Sequence, residues 1–369
     1  MTRGTVLTNC TFPEAHRDEV SGTEIAFADG KIVAQPDDDW ERIDVEGAYV
    51  TPGFIDQHVH VFLPAKTLGI PADRIGVNQG VTTVVDAGSS GARDFDRFEH
   101  DVIDTQRTNV LAWLNIASSG LVDDRHELVD LANIDPDKSF ETIRAHSDRI
   151  IGLKVRMSAS VLGSNGLKPL QMARELADAV RLPIMIHTGN RPPEMGECLD
   201  LLRAGDVCSH AFHGKPGGLF DETGRLDPRA VEAKERGVLF DVGHGQASLS
   251  FEVARAAREA GLPADTISTD LHEGNVDGPV YSLAETMSKM LALGYPLEDV
   301  IAAVTTRPAA AIGRPDLASL APGSTADLSV FEIRHTDREF RDSQGATLPG
   351  REVVRPRRVV RGDDVHGCE

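Results

Sequence analysis

The chain has 369 residues, 40% hydrophobic and 26% charged, with a formal net charge of −20 at pH 7. That length exceeds one ordinary core and favours a large domain beside a smaller one, and the composition is that of a globular protein. The negative balance argues against nucleic acid and anionic membranes as partners, and no apolar run approaches the roughly 18 residues of a membrane span.

The N-terminal "MTRGTVLTNCTF" lacks the apolar core of a signal peptide. Next, "EIAFADGKIVAQ" reads as a hairpin with its turn at Asp29 and Gly30, and "PDDDWE" as a solvated loop. From residue 50 onward, short apolar runs alternate with longer mixed stretches. Eight runs are expected to be strands: "GFIDQHVHV", "VTTVVDAG", "NVLAWLNIAS", "IIGLKVRMS", "PIMIHTGN", "VCSHAFHG", "VLFDVGHG" and "TISTDLHEG". Between them, "PLQMARELADAVR" and "SLSFEVARAAREAG" have helical character. Eight strands alternating with helices predict an α/β fold, a (β/α)8 TIM barrel over residues 50–312. The continuous apolar runs suit parallel strands covered on both faces.

Beyond the barrel, "STADLSVFEI" and "REVVRPRRVVRG" are again strand-like. Residues 1–49 and 313–369 are therefore expected to form one split β domain, a small β-sandwich built by both chain ends. "RPRRVVRG" reads as a basic edge strand, either protecting the sheet edge or touching another subunit of a homo-oligomer. The four cysteines (Cys10, Cys198, Cys208, Cys368) show no CxxC pairing, so a reduced, cytoplasmic protein is expected, with Cys208 filling a barrel layer. His16, His100, His126, His146, His335 and His366 read as solvated surface residues.

Polar residues gather late in the expected strands, where barrel enzymes place their active sites. His58 and His60 lie two apart, so a strand turns both to one face; two imidazoles make a poor core and a good start to a metal site. His187 follows "PIMI", His210 closes "DVCS", and Asp270 follows "TIST". Imidazole and carboxylate are ligands preferred by zinc and its neighbours. Lys154 sits among apolar residues in "IIGLKVRM". Burial and nearby dications favour its neutral amine, which can take up carbon dioxide and become an anionic carbamate. The alternative is a lysine whose head reaches solvent or a carboxylate.

The residues "GFIDQHVH", "GLKVRMS", "IMIHTGN", "CSHAFHG", "DVGHG" and "STDLH" resemble the amidohydrolase superfamily, and within it the dihydroorotase-like branch and its bacterial amidohydrolase/deacetylase group. The flanking "ADGKIVA…VTPGFID" and "LAPGSTADLSVFE" resemble that group's split β domain. The resemblance implies a binuclear metal centre with two divalent ions, zinc expected. His58, His60 and Asp270 would hold one, His187 and His210 the other, and carboxylated Lys154 would bridge both. It also implies a metal-dependent hydrolase in which a metal-bridged hydroxide attacks an acyl carbonyl and Asp270 shuttles the proton.

Further residues are candidates for substrate binding. Arg156 either grips a substrate carboxylate or stiffens a loop. His272 either orients Asp270 or touches substrate. His244, between two glycines, is expected to polarise the carbonyl. His213 belongs to "HGKPGG", a candidate covering loop, and Asn190 and Ser158 are candidate hydrogen-bond partners. The leading expectation is deacylation of a small N-acyl amino acid or O-acyl hydroxy acid carrying a carboxylate. The alternatives are a cyclic amidase of the dihydroorotase or hydantoinase kind, and a non-catalytic family member.

Overall fold

The computed structural model describes residues 4–65 and 67–369. Seven of the eight expected strands form one parallel sheet: β1 (Phe54–Val59), β2 (Val81–Gly91), β3 (Asn109–Asn115), β4 (Ile150–Met157), β5 (Ile184–Thr188), β6 (Val207–Ser209) and β7 (Leu239–Phe240). Each pairs in parallel with its neighbour in the chain.

The eighth run differs. Residues 266–271 form no ladder but are tied to both outer strands, by isolated bridges from Thr266 to Asp241 and from Leu271 to Val59. Backbone bonds from His244 N to Ser268 O and from Asp270 N to His58 O add to these. Asp270 takes the left-handed conformation at φ 54°, which breaks the extended repeat. The side chains of Thr266 and Ser268 donate to buried Asp241, and Thr269 donates to buried Asp56.

The parallel strands are buried on both faces. One face carries Ile55, Val85, Leu111, Trp113, Met185 and Val207 in an interior cluster. The other carries Val84, Val110, Leu153, Val155 and Ile186 against the covering helices. The helix Lys168–Val180 buries Leu170, Ala173, Leu176 and Ala177, and Phe251–Glu259 buries Phe251, Ala254 and Ala257 behind the capping hydroxyl of Ser250. Two residues beyond Met185 and Val207, on the same inner face, stand His187 and Ser209. Apolar layers thus fill one end of the sheet and polar groups crown the other.

Two four-stranded sheets flank it. One contains Thr5–Thr8, Ile25–Ala28, Lys31–Val33 and Glu41–Asp44; the other contains Tyr49–Pro52, Asp327–Arg341, Thr347–Arg361 and Asp364–Gly367. The expected hairpin is present, with Asp29 and Gly30 both at positive φ. Leu7, Phe12, Phe27, Val50, Leu328 and Val360 share one apolar cluster that joins the two sheets.

Two expectations are corrected. "RPRRVVRG" is not an edge strand, because Asp364–Gly367 pairs along its outer side. His16 is not solvated: it is 3% exposed and pairs with Glu19 at 2.9 Å. The C-terminal hairpin also reaches further than expected. Phe331, Phe340, Leu348 and Val354 join the large core, and Val354 N donates to Ser288 Oγ at 2.9 Å.

Candidate metal centre

His58 is the last residue but one of β1 and His60 directly follows the strand, Lys154 lies late in β4, His187 lies in β5, and His210 directly follows β6. Together with Asp270 they meet at one point. Asp270 Oδ1 lies 3.1 Å from His60 Nε2 and 3.4 Å from His58 Nε2, and Oδ2 lies 3.8 Å from His210 Nε2. Lys154 Nζ is 3.2 Å from His58 Nε2. The His187 ring packs edge-on to His210, with centroids 4.3 Å apart. One ligand atom each from His58, His210 and Asp270 falls within 4.8 Å of the others.

The rings are aimed by their far nitrogens. His210 Nδ1 donates to Gly243 O, which can only accept. His58 Nδ1 lies 2.7 Å from Ser209 Oγ, whose own hydrogen goes to Asp241 Oδ2 at 2.6 Å; Nδ1 of His58 must therefore be the donor. His60 Nδ1 pairs with Ser89 Oγ at 2.8 Å. In His58 and His210 this leaves Nε2 bare and turned to the Asp270 carboxylate. His210 Nε2 is buried with no hydrogen-bond partner. Converging lone pairs on imidazole and carboxylate repel unless a cation lies among them. The donor set thus fits divalent metal of the zinc type, with each ring held by an outer hydrogen bond.

The backbone is shaped around this point. His210 joins Asp270 in the left-handed region, at φ 61°, a conformation costly outside glycine and concentrated at functional sites. Gly88, at φ 83°, has no room for a side chain: a Cβ there would fall 2.9 Å from Cβ and Cγ of Lys154.

Electrostatics follow from burial. Desolvation keeps His58 and His187 well below the usual imidazole range and takes His210 down to about 3. Desolvation also lowers the Lys154 amine to about 7. Burial opposes the Asp270 carboxylate, but His58, His60 and His210 outweigh it and hold it well below the usual carboxylate range. The centre is an ionised carboxylate beside the depressed imidazoles of His58, His187 and His210 and an amine whose pKa is lowered toward neutrality.

The candidate substrate residues are more scattered. Arg156 Nη1 is bound to Glu127 at 2.9 and 3.2 Å, and Glu127 is 3% exposed. His272 ring-packs with His60 at 6.4 Å, and its Nδ1 accepts from Gly274 N. His213 Nδ1 accepts from Lys215 N, leaving a buried Nε2 without a partner. Ser158 Oγ is likewise buried and unpartnered; a Cβ on Gly189 would lie 2.2 Å from it and 3.4 Å from His187 Nε2. Asn190 is exposed and accepts from Ser160 Oγ. His244 is buried, with Nδ1 2.9 Å from Gly245 O and Nε2 2.9 Å from Lys289 Nζ. Among the described residues, Lys215 has no ion-pair partner. It lines a groove of about 790 Å³ with His213, Arg191 and Phe220.

Sequence reasoning missed Ser209, Ser89, Asp241, Glu127 and Lys289. Only Ser209 and Asp241 carried a local signal, one beside His210 and the other at the end of an apolar run.

Residues 49–353 match the profile described as the amidohydrolase family. The chain belongs to the amidohydrolase family. This amidohydrolase is 40% identical over 351 residues to a deacetylase of Agrobacterium fabrum, covering 93% of the chain and 86% of the relative. It superimposes on a solved structure described as a dihydroorotase with a TM-score of 0.91, at 36% identity over 100% of this chain and 98% of the other. One described as an adenine deaminase gives 0.92, at 35% identity over 98% and 99% of the two chains. The family and the deacetylase relatives make the amidohydrolase a hydrolase acting on C–N bonds. Its neighbours' differing names show that one scaffold serves different substrates. Among its described residues no helix is long and apolar enough to cross a membrane.

Proposed function

We propose that this amidohydrolase is a binuclear metal-dependent deacylase of a small N-acyl amino acid or O-acyl hydroxy acid. The observation that carries this reading is the convergence of four imidazoles, one carboxylate and a buried lysine at the strand ends, with three of the rings held at Nδ1. Residues 50–312 would be a closed (β/α)8 barrel with 266–271 as its eighth stave, and residues 1–49 and 313–369 a sandwich beside it.

His58, His60 and Asp270 would hold one divalent ion, zinc expected, and His187 and His210 the other. Lys154 would link the two as a carbamate: its neutral amine forms an N–C bond to carbon dioxide and releases one proton, so the side chain becomes an anion. The burial of Lys154 and its lowered pKa support this. When bound, the metal pair supplies Lewis acidity that activates water and polarises the acyl carbonyl.

Asp270 accepts the proton of the attacking water and passes it to the leaving nitrogen or oxygen. The unpartnered N–H of His213 and hydroxyl of Ser158 are donors available to substrate oxygens. Arg156 is largely neutralised by Glu127. The substrate carboxylate is therefore assigned to Lys215, half-buried on the mouth loop beside His213.

A cyclic amidase is the second reading, favoured by the close superposition on the structure described as a dihydroorotase. A panel of acylated amino and hydroxy acids, run beside hydantoin- and dihydroorotate-like rings on metal-loaded protein, separates the two. Turnover of rings alone rejects the deacylase reading, and a protein that takes up no transition metal rejects both.

A further inference from the structure

The helix Leu283–Ala292 carries a buried cation with no part in the proposed chemistry. Lys289 is 0% exposed. Its Nζ donates to Pro279 O at 2.6 Å and lies 2.9 Å from His244 Nε2, with the Tyr281 ring centroid 6.0 Å away. Glu285, one turn earlier, supplies opposite charge and pairs with Arg338 of the C-terminal hairpin at 2.9 Å. Desolvation lowers the amine only to about 8, so it is an ammonium at neutral pH.

An ammonium has three donors and no acceptor. His244 Nε2 must therefore be bare and its proton must sit on Nδ1, which faces Gly245 O at 2.9 Å. The ring thus closes its own loop. That loop, Gly243–His244–Gly245, has a single side chain and two left-handed glycines, at φ 46° and 54°. Glycine brings little torsional restraint, yet both positions are set closely. Gly243 O receives the His210 Nδ1 proton, and a Cβ on Gly245 would fall 2.8 Å from Asp270 Oδ2. Two side chains hold this peptide: Ser343 Oγ donates to His244 O at 3.1 Å and to Gly245 O at 2.8 Å from outside the loop, and His244 holds it from within, itself held by Lys289.

We propose that Lys289 is a positioning residue for the metal centre: it fixes the Nδ1–H tautomer of His244 and thereby anchors the Gly243 carbonyl that orients His210. Only the last link rests on the metal reading above. His244 then acts as a loop anchor, in place of the carbonyl-polarising role its sequence position suggested.

The test is nitrogen-15 NMR of histidine-labelled protein, metal-loaded and chelator-treated, with His244→Gln used to assign the ring. The wild type is expected to show Nδ1–H at His244. Lys289→Met, which keeps the bulk and removes the donors, is expected to shift His244 toward Nε2–H. Lys289→Gln, which keeps an N–H, is expected to restore the wild-type tautomer. In chelator competition, Lys289→Met should weaken one of the two metal equivalents about tenfold and leave the other unchanged.

An Nε2–H ring or an imidazolium in the wild type overturns the proposal, and this measurement needs no variant to fold. Lys289→Met with unchanged His244 shifts also overturns it. A moved tautomer with both metals bound as in wild type removes the link to His210. A wild type that binds no metal defeats the metal reading instead, and the ring shifts still decide the Lys289–His244 pair.

Discussion

The hydroxyl of Ser209 stands 2.7 Å from Nδ1 of His58 and passes its own hydrogen to Asp241. A relay of carboxylate, hydroxyl and imidazole therefore sets one ring of the candidate metal centre from beneath. Asp241 also accepts from Thr266 Oγ1, Ser268 Oγ and Gln57 Nε2, so it is fully engaged whatever the metal content. Ser209→Ala should keep the fold and weaken metal binding by about 10- to 100-fold. Chelator competition on purified protein reads this directly, and unchanged affinity would show that His58 needs no such support.

If Lys154 bridges two metals as proposed, Lys154→Ala should reduce metal content from two equivalents toward one. Short carboxylic acids added to this variant should return part of its activity by placing a free carboxylate in the gap. Metal analysis with and without acetate, beside turnover, checks both halves. Two retained equivalents without any additive would remove Lys154 from the bridge.

Asp270→Asn keeps the shape of the side chain and removes its ability to take a proton. Turnover should fall by about 10²- to 10⁴-fold with little change in circular dichroism. Near-wild-type turnover would move the proton carrier elsewhere.

Lys154 also predicts a pH dependence of stability in the metal-free protein. Its folded pKa, about 7, lies below the roughly 10.4 of an unfolded lysine. Between these values the unfolded chain binds the extra proton, so stability rises with pH. The burial penalty is full below about pH 7 and is relieved as the pH climbs through that window. Lys154→Met should flatten this rise. Denaturant titrations of both proteins at pH 6.5 and pH 9 measure the difference, and parallel slopes would refute the assignment.

Glu127→Gln and Lys215→Ala separate the two candidate carboxylate anchors. Removing the charge of Glu127 leaves Arg156 partly buried without its counter-ion, at a cost of about 3–5 kcal/mol, seen as a lower midpoint of unfolding. Lys215→Ala should leave stability nearly unchanged and raise KM for carboxylate-bearing substrates more than it lowers kcat. The reverse pattern would return the anchoring role to Arg156.

Much of this architecture was readable in the chain because parallel strands leave a plain trace. "VTTVVDAG" and "NVLAWLNIAS" are apolar on both faces, and their polar ends mark the mouth. His58, His60, Lys154, His187, His210 and Asp270 stood out because charge or imidazole interrupts such runs. What escaped was long-range or conformational. Nothing local in "TISTDLHEG" shows that Asp270 adopts a left-handed backbone or that the run meets its neighbours in isolated bridges rather than a ladder. Lys289 reads as one more lysine on an amphipathic helix until the hairpin packs over it. Glu127 lies in a loop rich in charge, and only its pairing with Arg156 distinguishes it from its neighbours. The internal position of "RPRRVVRG" depended on a four-residue strand at the very end of the chain.

The tip of the C-terminal hairpin bears on how the protein is made. Ser343 N donates to Leu249 O, Ser343 Oγ donates to Gly245 O at 2.8 Å, and Asp342 Oδ2 accepts from Phe251 N at 3.0 Å. The loop beside Asp270 thus leans on residues translated almost a hundred positions later. During synthesis the strands of the parallel sheet emerge first, and the loop beside Asp270 is latched only after residues 342 and 343 have followed. A chain halted before residue 342 would lack every one of these bonds to the loop, together with Leu348 and Val354 of the large core.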